Sequence, residues 1–128
     1  MSEFVKTGLT LLVGAGIGAV SIEALRAQAK PPAYVISEVN VRDEDPYMKE
    51  FLPARAKAIE DAGGRYLVRG GEAKTVVGPP PRQRVIVVQF DNVDAMVAFT
   101  QSAGFKDSEA IGEKYADFRI FGVEGIGK

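Results

Sequence analysis

Cysteine, histidine and tryptophan are all absent from the 128 residues. Without cysteine there are no disulfides, no thiolate nucleophile and no thiolate zinc site; without histidine the commonest general base and the commonest metal ligand are gone, and neither residue can hold a haem iron. Any chemistry must draw on carboxylates, lysine, arginine, tyrosine, serine or threonine, and nothing in that inventory calls for a cofactor or a metal. An excess of one charge is lacking as well. Sixteen basic residues against seventeen acidic ones leave a net charge of −1, so no broad field draws nucleic acid or an anionic membrane, and no strong local basic patch takes its place. The missing cysteines do not decide the redox compartment, because an exported domain with an adequate core needs no staple.

What remains suits one compact domain: the length is enough for one and short for two, and 46% of the residues are hydrophobic. The first 29 residues differ from the rest. Lys6 precedes a charge-free stretch over residues 7–20, and a more polar stretch leads to Ala27-Gln28-Ala29 before Lys30-Pro31-Pro32. A basic start, an apolar middle and a small-x-small site are the parts of a secretory signal, so residues 1–29 read as a signal-like segment and 30–128 as the mature domain, periplasmic or secreted. Glu3 and the single basic residue argue against it. An uncleaved inner-membrane anchor is the rival, since Gly14 and Gly18 have the small-xxx-small spacing of packed membrane helices, although the run is short for a span; a cytoplasmic arm is the third reading. Gly14, Gly16 and Gly18 do not make a dinucleotide site, because their spacing is wrong and no clear strand precedes them.

Beyond the prolines, residues 33–41 read as a strand, with Val35, Val39 and Val41 on one face and Tyr34 and Ile36 on the other. Asp45-Pro46 predicts a helix start, with Met48, Phe51, Leu52, Ile59 and Ala62 on its inner stripe and Gly63-Gly64 as its stop; Pro53 inside that stripe must kink it or split off its first turn. Residues 65–68 read as a second strand, and 73–77 has strand character beyond Gly70-Gly71. Residues 84–90, Arg-Val-Ile-Val-Val-Gln-Phe, are apolar without alternation and predict a strand buried on both faces. Asp91 or Asn92 caps a helix with Val93, Met96, Val97 and Thr100 inward, a shorter helix runs from about 107 to 115, and 118–123 is the last strand.

Strand-helix-strand-strand-helix-strand is the split βαβ order, an α+β fold with an antiparallel sheet and both helices on one face. Tyr34, Val85, Val87 and Phe121 are then left on the open face. Apolar patches of that kind mark interfaces, which predicts a homodimer with the sheets face to face.

The same stretch resembles a small bacterial family catalogued as domain of unknown function 1330, of the dimeric α/β-barrel group. The resemblance is carried by Tyr34-Val35-Ile36, by residues 63–71 (Gly-Gly-Arg-Tyr-Leu-Val-Arg-Gly-Gly), by residues 84–90 and by Val123-Glu124-Gly125. It implies a ferredoxin-like protomer and a two-fold dimer, and no established reaction. Where relatives tend to have Ser-Pro-x-Tyr after the second helix, this sequence has Ser102-Ala103-Gly104-Phe105, so a pocket built from those positions is not carried over.

Arg69, Arg84 and Glu38 are charged residues in strands that are otherwise apolar, and each needs a partner or solvent. They are expected to converge at one edge of the sheet. There the favoured role is a structural ion pair, and the functional one is a site for a small organic anion lined by Tyr47, Tyr66 and Tyr115. Three classes of function stay open: a ligand-binding or accessory dimer, a cofactor-free enzyme of oxygenase, isomerase or lyase type by analogy of fold, and a purely structural exported dimer.

Overall fold

The computed structural model describes residues 30–127, and the signal-like or anchor segment at 1–29 lies outside them. Pro31–Ile126 form one compact unit. Its strands are β1 (Ala33–Val41), β2 (Arg65–Arg69), β3 (Arg84–Phe90) and β4 (Ala116–Glu124). They make a four-stranded sheet in the order β2-β3-β1-β4, antiparallel at every pairing. With a helical segment between β1 and β2 and another between β3 and β4, this is the ferredoxin-like α+β fold the patterning predicts. Among the described residues no helix is long and apolar enough to cross a membrane.

The two-residue period of β1 decides the layering. Ala33, Val35, Ser37 and Val39 are buried beneath the helices, while Tyr34, Ile36 and Glu38 face the other way. Register aligns Ile36 with Val87 on one side and with Phe121 on the other. The open face therefore carries Ile36, Val85, Val87, Phe121 and Val123 together, and Phe121 and Val123 are exposed by 40% and 45%. Strand β3 is thus buried on its helix face, through Val88 and Phe90, and only half-buried on the other.

The helical segment after β1 has three parts: α1 (Glu44–Pro46), a π-helical turn (Tyr47–Phe51) and α2 (Leu52–Asp61). Pro53 is the cause that the sequence offers. It cannot donate to the turn before it, and the widened turn, closed by Leu52 N–H on the carbonyl of Tyr47, absorbs the defect. The extra residue also changes which side chains face inward. Tyr47 and Phe51 are buried, whereas Met48, expected on the inner stripe, is 50% exposed. The helix ends as expected at Gly63, whose φ of +80° is open to glycine, and Gly64 N–H bonds the carbonyl of Ile59 at 2.9 Å.

Three further expectations are corrected. Residues 73–77 form no strand: Gly70 and Gly78 hold positive φ, Pro79 to Pro81 offer no donors, and Val76 and Val77 are about nine-tenths exposed. The ladder of β2 on β3 is irregular at Leu67, between Tyr66 and Val68. In α3 (Val93–Thr100), capped by Asn92 Oδ1 on Ala95 N–H at 2.8 Å, the anchor is Phe99 and Val97 is exposed. The last helix, α4 (Ala103–Gly112), starts earlier than expected because Ser102 caps it, its hydroxyl accepting from Phe105 N–H at 3.1 Å.

Candidate functional site

Two apolar clusters fill the space between sheet and helices. Val35, Ala58, Ile59, Val88, Phe90 and Phe99 make one, and Val39, Tyr47, Phe51 and Ala116 the other. Between them lies a mainly apolar cleft of about 160 Å³, walled by β1, β3, the π-helical turn and α2. Its presence has a local cause. In the middle of the helix-facing row of β1 stands Ser37, between Val35 and Val39 and opposite Ile86, and a side chain this short leaves volume that a larger apolar residue would fill.

The polar groups on the cleft wall are Ser37, Tyr47, Arg55, Tyr66 and Arg69. Arg55 comes from α2, one turn beyond Phe51 and one before Ile59, so it sits in the buried stripe and is 7% exposed. Its Nε donates to Ser108 Oγ at 2.9 Å and its Nη2 to Glu109 Oε1 at 2.5 Å. The guanidinium is further held by the rings of Phe51 and Phe105, 4.8 and 4.5 Å from their centroids. Such a cation is locked, with Nη1 left over and making no hydrogen bond to the described residues.

Tyr66 and Arg69 come from the edge strand β2. They reach the same face because the bulge at Leu67 shifts the alternation between them. Arg69 lies over the Tyr66 ring, 3.9 Å from its centroid. Among the described residues it has no hydrogen bond or ion pair. Arg84 packs against the ring of Tyr47 at 5.2 Å and is paired with Glu44. Burial pushes the Tyr47 and Tyr66 phenols above the ordinary value of 10.0, against the opposing pull of Arg84 and Arg55 on the first and of Arg69 and Arg55 on the second. Both phenols are therefore neutral donors at physiological pH.

The residues expected to meet are divided by the sheet. Glu38 points to the open face, where Oε2 accepts from Arg119 at 2.7 Å and Oε1 from Arg82 N–H at 3.3 Å. Arg69 and Arg84 lie on the helix side, so the expected convergence of the three does not occur; the strand period places Glu38 opposite to Val39 and the cleft. Tyr115 is away from the cleft too. Its hydroxyl donates to Glu50 at 2.9 Å, and that bond raises its pKa. Tyr66 and Arg69 remain in the site, Arg84 stands behind Tyr47, and Arg55 and Ser37 are additions. The signal for Arg55 was its i+4 spacing from Phe51. No cluster of carboxylates suited to a metal occurs among the described residues.

A family model described as domain of unknown function (DUF1330) matches residues 32–126. No curated protein matches the sequence. Among solved structures, a protein of unknown function from Rhodopseudomonas palustris is similar with a TM-score of 0.60 at 15% identity, over 85% of this chain and 94% of its own. Its methylated form gives 0.59 at 15% identity, over 84% and 90%. A protein from Bacteroides fragilis, described as dimeric, of unknown function and of ferredoxin-like fold, gives 0.46 at 13% identity, over 76% and 99%. At these identities the likeness is one of fold.

Proposed function

The chain belongs to the DUF1330 family, whose description carries no reaction, and from the cleft we propose that the protein binds a small organic molecule between its sheet and its helices, on the scaffold of a homodimer. The observation that carries this reading is an apolar cleft of about 160 Å³ between sheet and helices, with a few polar groups converging on it. Cavities of that size hold a molecule of about one six-membered ring, and apolar clefts with few oriented polar groups are the usual form of ligand sites. The state of the phenols favours binding over proton abstraction. A general base must lose its proton near neutral pH, whereas burial holds Tyr47 and Tyr66 protonated. The dimer is supported by the apolar row Ile36, Val87 and Phe121 on the open face.

The test is to fill the cleft. Ala56 lines it and is replaced by tryptophan. Ring-sized organic compounds raise the melting temperature of the wild type, as any ligand of the native state does, and leave Ala56→Trp unmoved. Equal binding by the two proteins places the ligand elsewhere and ends this reading.

A further inference from the structure

The charges around the cleft do not balance. Arg84 is matched by Glu44 and Arg55 by Glu109. Arg69 also lines the cleft, yet no carboxylate among the described residues answers it. It is not loose either, for its guanidinium is stacked on the ring of Tyr66. Stacking uses the face of the guanidinium and leaves the N–H edge open, the edge that forks onto a carboxylate. Tyr66 is held neutral and adds a phenolic donor beside it. Deeper in, Arg55 is fixed by Ser108 and Glu109 while Nη1 has no partner among the described residues, and Ser37 lies on the same wall.

From this asymmetry the geometry points to a specific ligand class, resting on the reading that the cleft binds an organic molecule: a monocarboxylate with a compact apolar body of about one ring. The carboxylate is received by Arg69 at the exposed strand edge, with Tyr66 beside it, and the body occupies the space among Val35, Ile59 and Val88. One carboxylate cancels the charge of Arg69, the cation of the cleft wall that no carboxylate among the described residues answers. A dianion would leave a charge in an apolar cleft, and a neutral ligand would forgo the charge-assisted fork that the N–H edge of Arg69 offers. Arg55 Nη1 and Ser37 add a preference for acids whose body carries an acceptor, such as a keto or hydroxyl oxygen, over the bare hydrocarbon.

Benzoate and benzamide separate charge from shape, since they share ring and outline. Titration calorimetry on the full chain is expected to show benzoate binding, benzamide weaker by about tenfold or more, and Arg69→Gln weakening benzoate by a similar factor while leaving benzamide unchanged. Arg69→Lys keeps the charge without the fork and recovers part of the loss. Lys57→Gln, an equal change of charge at the Lys57–Asp61 surface pair, serves as the control and is neutral. Arg69 is exposed, so the variant is expected to fold, and its circular dichroism and melting curve verify that. Benzamide binding as tightly as benzoate, or Arg69→Gln keeping full benzoate affinity, overturns the carboxylate assignment and leaves the cleft reading standing. Binding of both compounds that survives Ala56→Trp, or binding of neither, overturns the cleft reading and the assignment with it.

Discussion

Arg55 and Glu109 meet at 2.5 Å and tie α2 to α4, with the arginine side chain 9% exposed and the carboxylate 19%. Replacing Arg55 with methionine keeps the bulk, removes the donors to Ser108 and strands the Glu109 carboxylate. The expected loss of stability is about 2–4 kcal/mol, short of the fully buried case because Glu109 retains some access to water. Glu109→Gln can still accept and should cost about 1–2 kcal/mol. Urea denaturation measures both. A loss below about 0.5 kcal/mol for Arg55→Met would show that the pair does not hold the helices together.

The open sheet face is expected to carry the dimer. Val87 lies at its centre, aligned with Ile36 on β1 and with Val68 on β2. A Val87→Glu change buries a charge only if a second sheet covers it. Light scattering should find the wild type dimeric at micromolar concentration and Val87→Glu monomeric, with the circular dichroism of a folded domain. A monomeric wild type removes the assembly.

The phenols set an alkaline limit on stability. Tyr47 and Tyr66 have folded pKa values raised above 10.0, chiefly by burial. The unfolded chain loses these protons first. Between the unfolded and the folded pKa the unfolded state binds fewer protons, so stability falls as pH rises, and the contribution is fully present below the unfolded value. The prediction is a decline in urea midpoint that begins near pH 10 and is shallower in the Tyr47→Phe/Tyr66→Phe double variant. The same slope in both proteins would mean that other groups cause it.

Export is proposed from the three-part pattern of residues 1–29. Protein taken from its own host is expected to begin at Lys30 in an extracytoplasmic fraction, as read by N-terminal sequencing. Recovery of a chain starting at Met1 or Ser2 from the cytosol would refute it.

Patterning along the chain determined the order and kind of the strands. Period two in residues 33–41, the continuous apolar run 84–90 and the Gly63-Gly64 stop are local signals, and the elements they predict are present. The interior of each helix was less legible. Pro53 announced a defect, but whether it kinks the helix or widens it depends on the packing of the turn, and the π-helical answer exchanged Met48 for Tyr47 in the core. Spacing pointed to charged residues in strands without saying which face each occupies relative to the others. Glu38, Arg69 and Arg84 look alike as lone charges in apolar segments, yet the register of β1, β3 and β4 pairs Glu38 with Arg119 across the open face. The bulge at Leu67 turns Arg69 toward the cleft alongside Tyr66. A two-residue period lets the sequence say which residues share a face within one strand. Which strands lie side by side, and in what register, is decided by contacts between residues far apart in the chain. The order of the paired strands could therefore be read along the chain, while the site, built from β1, α2 and β2 at once, existed only after those segments had met.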